Sequence, residues 1–251
     1  MSQDKRDKPQ AGKRGPQNSP PKKTKQPSRR HLPRGLTILH EDDDIIVVNK
    51  VSGLLSMSNS RTRDRTAYFA LNDYVRKGNA KSRKRIFIVH RLDRDTSGVL
   101  VFAKSEVNKR FLQDQWPNFK KKYFAIVHGI LDEKEGILSS YLAENAVHKM
   151  YATDDPKKGK LAKTGYKVLK ESTYYSLVEI DLLTGRKNQI RVHFADVGHP
   201  VAGDKVYGDL LRSTKHLNLH AGSLNLVHPG TKKRMTFTAD LPSYFNALLK
   251  K

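Results

Sequence analysis

His90-Arg91-Leu92-Asp93-Arg94-Asp95-Thr96-Ser97-Gly98 runs directly into Val99-Leu100-Val101-Phe102. The second half is a short, unbroken apolar run of the kind that forms a buried strand. The first half places two carboxylates, three basic side chains and two hydroxyls in nine residues. A polar, glycine-terminated loop abutting a core strand is where a rigid scaffold holds functional groups; an ordinary charged turn has the same composition. Working outward, Ile45-Ile46-Val47-Val48 is a second buried strand, and Thr66 to Lys77 carries Tyr68, Leu71, Tyr74 and Val75 at helical spacing. Ser105 is placed to cap a helix running through Trp116. Tyr123 to His128, Gly165 to Leu169 and Tyr175 to Leu183 read as further strands. Asn188 to Val197 reads as a helix with Ile190, Phe194 and Val197 on one face. Strand signals at Leu219 to Val227 and Met235 to Thr238 precede a short helix that begins after Leu241-Pro242. There is no internal repeat, and the helices are too few and scattered for regular βαβ winding. The pattern predicts an α+β fold with a mostly antiparallel central sheet and flanking helices.

The 251 residues are enough to bury a sizeable core. Lys and Arg number 48 against 25 Asp and Glu, a formal charge of +23. Such an excess selects a polyanionic partner, or marks a merely basic soluble protein; it does not by itself imply an enzyme. The absence of Cys excludes disulfides, thiolate nucleophiles and Cys-based zinc sites. No apolar run approaches the roughly 18 to 20 residues that cross a bilayer, and the charged N-terminus lacks the apolar stretch of a secretory signal. These features predict a soluble, cytoplasmic protein with no membrane partner. Residues 1–34 hold eleven Lys and Arg against Asp4 and Asp7, together with six of the eleven prolines. That composition predicts a disordered basic tail over 1–34, leaving 35–251 as one folded domain. The tail either captures a polyanion by counterion release or only aids solubility.

Two further stretches combine charge with position. Leu182-Leu183-Thr184-Gly185-Arg186-Lys187-Asn188-Gln189-Ile190-Arg191-Val192-His193 leaves a strand, turns at Gly185 and enters a helix through basic residues. Cations oppose the helix macrodipole there, so phosphate binding beside free backbone N–H groups would account for them, as would a plain surface face. Lys120-Lys121-Lys122-Tyr123-Phe124 leads from basic residues into an aromatic, which suits backbone contact plus base stacking, or an ordinary core strand. Metal-ligand spacing is missing around Asp93, where Arg91 and Arg94 would repel a cation. A glycine-rich phosphate loop is missing as well.

Taken in order, Val47-Val48-Asn49-Lys50-x-x-Gly53-Leu54, the His90 to Gly98 loop, Lys122-Tyr123, and Gly185-Arg186-x-x-Gln189-Ile190-Arg191-x-His193 resemble the RluA-type pseudouridine synthases. The later Gly198-His199-Pro200-x-x-Gly203-Asp204-x-x-Tyr207-Gly208 is similar too, so the resemblance runs from Leu36 to the C-terminus. Two positions depart from the family pattern: Val51 stands where Pro is usual, and Asn188 where His is usual. The resemblance implies a catalytic cleft in which Asp93 is the catalytic carboxylate, Arg191 its cationic partner, able to pair with it bidentately, and Tyr123 the base-stacking tyrosine. It implies RNA contacts from Arg91, Arg94, Lys50, Arg186, Lys187 and Lys122. Asp95 reads instead as loop structure, since a short acid followed by Thr and Ser tends to bond its own backbone. Isomerising uridine to pseudouridine transfers no electrons and donates no group, so neither cofactor nor metal is expected. The substrate class is RNA, ribosomal large-subunit RNA before tRNA, and the working form a monomer. The competing reading is a non-catalytic RNA-binding or ribosome-assembly protein that keeps the fold; it has no use for a carboxylate facing phosphates.

Overall fold

The computed structural model describes residues 34–58, 65–79, 81–208 and 214–250. In chain order they form β1 (Leu36–Glu41), β2 (Ile45–Lys50), α1 (Ala67–Arg76), β3 (Phe87–Ile88), β4 (Ser97–Ala103), α2 (Glu106–Asp114) and β5 (Lys120–His128). There follow β6 (Glu135–Glu144), β7 (Met150–Thr153), β8 (Lys160–Glu171), β9 (Tyr175–Leu182), α3 (Gln189–Asp196), β10 (Leu219–Val227), β11 (Arg234–Thr238) and α4 (Ser243–Leu248). The expected basic tail lies outside the described residues except for Arg34. Among the described residues no helix is long and apolar enough to cross a membrane.

Runs apolar at every position, Ile45 to Val48 of β2 and Val99 to Ala103 of β4, must be covered on both faces, and these are. They pair antiparallel. On one side Val47, Val99 and Val101 pack with Leu112 of α2; on the other Ile46, Val48, Leu100 and Phe102 pack with Leu71 and Tyr74 of α1. Each helix starts at its cap: Thr66 Oγ1 accepts from Phe69 N, and Ser105 Oγ from Asn108 N, both at 3.1 Å. Helix α2 stops at Asp114, short of the expected Trp116. Pro117 has no N–H to return along the helix, and the chain tightens into a 3-10 turn over Trp116–Asn118.

The strands form one sheet in the order β1-β2-β4-β10-β5-β9-β8-β6-β7, with β3 beside β4 and β11 beside β10. Among these pairings only β4 with β10 is parallel, so the expected mostly antiparallel α+β architecture is the one observed. The parallel contact explains Gly98, which has φ +113° and whose added Cβ would collide with the backbone of Ala221 on β10. Beside it, His220 Nε2–H donates to Ala239 O at 3.1 Å, so its Nδ1 is free to accept from Ser97 Oγ at 2.8 Å. The end of the Asp93 loop is thereby pinned to the middle of the sheet. Helix α3 covers the other half through Ile190 and Phe194, which pack with Val178, Ile180 and Leu219. Val197, expected on that face, is 45% exposed because the helix ends at Asp196. Strands β1, β3, β6 and β7 carry no clear sequence signal, and β8 starts at Lys160 rather than near Gly165. Much of β6 faces solvent, with Ile137 63% exposed, so no apolar alternation marks it.

Candidate active site

The Asp93 loop is held almost entirely by a segment more than 35 residues upstream. Ser56 Oγ donates to Leu92 O at 2.7 Å and accepts from Leu92 N at 3.0 Å. Gly53 N donates to Arg94 O at 2.9 Å, and Ser52 Oγ to Asp95 O at 2.8 Å. Lys50, fully buried, donates from Nζ to Arg94 O at 3.0 Å, Leu54 O at 2.8 Å and Val51 O at 3.1 Å. Burial pushes its pKa down to about 7 against the pull of Asp95 and Asp93. Three carbonyl acceptors call for three hydrogens, which is the ammonium form. Lys50 was expected to contact RNA; burial puts it out of reach, and its work is to fix the backbone on both sides of the carboxylate. With Leu92 buried on one side and the Arg94 carbonyl tied on the other, Asp93 projects from a fixed stub.

The opposing wall comes from α3 and the turn after it. Arg191 Nε and Nη2 donate to Asp204 Oδ2 and Oδ1 at 2.6 and 2.8 Å, and Nη1 donates to Asp93 Oδ2 at 3.1 Å. The pairing with Asp93 is therefore single, and the bidentate face belongs to Asp204. Side-chain exposure is 35% for Asp93, 12% for Arg191 and 0% for Asp204. Burial pushes the Asp204 carboxyl up, but Arg191 and the N–H groups of Val206 and Tyr207 hold it below the usual range. Burial likewise works against the Arg191 charge, which Asp204 and Asp93 more than restore. One oxygen-rich, fully satisfied carboxylate thus locks the guanidinium, and a second, accessible one shares it.

Tyr123 on β5 packs against both the cluster containing Leu92 and the one containing Ile190, at the seam between the walls. Burial and the neighbouring Asp93 charge push its phenol up, so it stays protonated across the physiological range. No hydrogen bond to a described residue engages its hydroxyl. Nearby, His90 accepts from Val101 N at 3.2 Å and stacks on Trp116. Burial and the Lys121 charge push it down to about 3, which keeps it neutral and structural.

The remaining expected RNA contacts divide sharply. Arg91 is exposed and makes no side-chain bond or ion pair with any described residue. Arg94 is exposed and paired with Asp95, at 3.1 and 3.2 Å from Nε and Nη2. Asp95 thus bonds its neighbour's guanidinium rather than its own backbone. Arg186 and Lys187 lie before α3, not in its first turn. Arg186 Nε donates to Leu161 O at 3.1 Å, and Lys187 Nζ to Glu144 Oε1 at 2.6 Å and His148 O at 2.9 Å. The backbone N–H of Arg186 is taken by Gln189 Oε1 at 3.0 Å, so that turn is not an open phosphate cradle. Lys122 pairs with Glu179 at 2.6 Å. Val51, the first departure, uses the N–H that Pro lacks: it donates to Gly35 O at 3.0 Å.

Away from this site, His40, Asp42 and His228 form the one grouping among the described residues whose ligand atoms lie close enough to share a metal. Their hydrogen bonds do not fit that use. His228 Nδ1 accepts from Gly230 N and Thr231 N at 3.2 and 3.0 Å, so Nε2 carries the proton and donates it to Asp42 Oδ2 at 2.9 Å. Asp42 Oδ1 accepts from the N–H groups of Asp44 and Ile45 at 2.9 Å. The cluster fastens β1 to the end of β10.

A basic chain that brings an accessible carboxylate, a locked guanidinium and a phenol together over the middle of a mixed sheet has the architecture of a pseudouridine synthase. The human RNA pseudouridylate synthase domain-containing protein 4 superposes with a TM-score of 0.72 at 25% identity, over 87% of this chain and 93% of that one. The family model for RNA pseudouridylate synthase matches residues 44–196. An RNA pseudouridine synthase of Mycoplasma pneumoniae is 36% identical over 84% of this chain and 68% of its own length. Ribosomal large subunit pseudouridine synthase C of Buchnera aphidicola is 37% identical over 84% of this chain and 69% of its own. The chain belongs to the RluA-type RNA pseudouridine synthase family and is an RNA-modifying isomerase. The matched span contains Asp93, Tyr123 and Arg191 but ends before Asp204 and Tyr207. Sequence alone assigns no role to those two or to Ser56; the Gly203-Asp204-x-x-Tyr207-Gly208 run is the signal that marks the first two.

Proposed function

We propose that the protein isomerises uridines in structured RNA with Asp93 as the reacting carboxylate, Arg191 pairing with it and Tyr123 stacking on the extruded base. The observation that carries this reading is the inequality between the two carboxylates on Arg191. Asp204 is sealed and saturated, while Asp93 keeps open oxygen at the cleft. The reaction breaks the bond from the sugar C1′ to uracil N1, turns the base and joins C1′ to C5; the C5 hydrogen leaves as a proton and N1 gains one. Asp93 can enter by attacking the sugar, by attacking the uracil ring, or by removing a sugar proton. Each use needs an ionised, reachable oxygen. Flipping the base costs a few kcal/mol, which phosphate contacts supply. We assign Arg91 to such a contact or to the vacated stack, with Arg94 beside it.

Relatives named as ribosomal large subunit pseudouridine synthases C and D favour large-subunit ribosomal RNA over tRNA as the substrate. We place the catalytic domain at 35–251, working as a cytoplasmic monomer, with the cations of 1–34 adding phosphate contacts. Asp93→Asn is isosteric, and it should abolish tritium release from 5-tritiated uridine in ribosomal RNA transcripts while RNA affinity stays within about twofold. Substantial turnover by this variant would remove Asp93 from the reaction. Mapping pseudouridines in cells with and without the protein identifies the modified uridine.

A further inference from the structure

Asn188 holds the second departure from the family pattern, and three observations make its side chain unusual. It occupies the N-cap of α3, where Asn ordinarily accepts a hydrogen bond from the helix's own first turn, yet it makes no such bond. Its backbone is left-handed, at φ 53° and ψ 19°, a conformation that Asn tolerates better than other residues with a Cβ. Its amide lies between the Asp93 carboxylate and the Tyr207 hydroxyl. Turning the amide oxygen toward Asp93 would oppose two acceptors. Turned the other way, Nδ2 donates to Asp93 at 2.9 Å from Oδ2 and 3.2 Å from Oδ1, and Oδ1 accepts from Tyr207 OH at 3.1 Å. Tyr207 OH in turn accepts from Met150 N at 3.1 Å, which directs its hydrogen at the amide. The Arg191 guanidinium lies 5.1 Å from the centre of the Tyr207 ring.

We infer that Asn188 is a positioning residue for the reaction: its amide N–H groups hold the Asp93 carboxylate, and Tyr207, anchored by the Met150 backbone, holds the amide. The inference rests on Asp93 being the reacting group. Asp93 then has two restraints from α3 and its approach, the Arg191 charge and an uncharged donor that fixes the plane of the carboxylate. Helix α3 gives up its own side-chain cap to provide the second. The groups that act on Asp93 are Arg191 and Asn188 from the α3 side, Lys50 from β2 and Tyr123 from β5, with Asp204 behind Arg191.

Asn188→Gly separates the amide from the backbone it sits on. Glycine adopts the left-handed turn without strain, so the variant should melt within a few degrees of wild type. If the amide positions Asp93, kcat for tritium release should fall about tenfold or more, the scale of a hydrogen bond to a charged group, with KM for RNA within twofold. Asn188→Asp keeps the size but replaces the donor with a second carboxylate against Asp93, and should lower kcat at least as far as Asn188→Gly. Tyr207→Phe frees the amide and should lower kcat several-fold. Wild-type kcat in Asn188→Gly would overturn the inference and leave Asn188 as a turn residue. Asp93→Asn is run in parallel: if it turns over, the assignment of Asp93 fails and takes the inference with it, and if it is inactive while Asn188→Gly is not, only the inference fails.

Discussion

Two carboxylates touch the same guanidinium, and they are built in opposite ways. Asp204 has no exposed side-chain surface, uses both oxygens on Arg191 and accepts two backbone N–H groups. Asp93 is about a third exposed and takes one bond from Arg191. A buried charge is tolerated only when nearly every lone pair is satisfied, and satisfying it removes it from chemistry. A reacting carboxylate must keep an open lone pair, so its precision has to come from elsewhere. Here much of it comes from the loop backbone, tied by Lys50, Ser52, Gly53 and Ser56, none of which touches the carboxylate, with the Asn188 amide beside it. Stability and reactivity are divided between the two acids.

The comparison breaks if the two acids respond alike to the same substitution. Asp204→Asn leaves the Arg191 charge buried against a neutral amide, and should cost about 3 to 5 kcal/mol of unfolding free energy. Turnover should fall as well, because an unlocked guanidinium no longer presents Nη1 to Asp93. Asp93→Asn, expected to be inactive, should cost under about 1 kcal/mol, since its site is partly solvated and an amide oxygen can still accept from Arg191 and Asn188. Urea titrations of both variants provide the measurement. Equal midpoints would show that Arg191 is held by something other than Asp204.

Lys50 sharpens the comparison, because it belongs to the scaffold yet lies directly beneath the reactive loop. Lys50→Met keeps the volume and strips three carbonyls of their donor. Unfolding free energy should drop by about 2 to 3 kcal/mol, and kcat should drop too, because the Arg94 carbonyl adjoining Asp93 is released. A variant with lowered stability and unchanged kcat would mean that Ser52, Gly53 and Ser56 fix the loop without it. Lys50→Arg should not restore function: the guanidinium fork cannot direct three donors at carbonyls arranged around a single nitrogen.

The ease with which these parts could be read from sequence follows the same division. The Asp93 loop was legible because polar residues crowd against a strand buried on both faces, and such a contrast survives in one dimension. The Lys50 role was not. A lysine is ordinarily a surface residue, and only the folding of 50–54 over a carbonyl 44 positions away makes it an interior cation. Asp204 lies in a turn with no periodicity, and its meaning depends on Arg191, 13 residues earlier, presenting the two-pronged edge of its guanidinium. Strands β6 and β7 escaped for a different reason: their exposed faces carry no apolar alternation, although their turn supplies Glu144 and His148 to hold Lys187. Polar residues whose partners are remote in sequence are the ones that sequence leaves without a role.

The smallest expected effect lies far from the cleft, at Asp42, and asks whether a carboxylate can be structural while still partly exposed. Burial raises its pKa, but the N–H of Ile45, the contact with His40, the N–H of Asp44 and the neighbouring His228 outweigh that and hold it at about 2, against an ordinary 3.8. Between those two values the unfolded chain binds more protons than the folded one, so stability rises with pH across that window. The contribution is complete above about pH 4 and is lost as the pH falls through 2. Discounted for the solvent that reaches the side chain, it amounts to about 1 to 2 kcal/mol. Asp42→Asn can still accept from the two backbone N–H groups but cannot hold a charge between His40 and His228. Wild type and variant should therefore differ by that amount at pH 6 and converge as the pH is lowered from 4 to 2, measured by urea unfolding at each pH. A difference that stays constant over the whole range would show that the cluster acts through neutral hydrogen bonds alone.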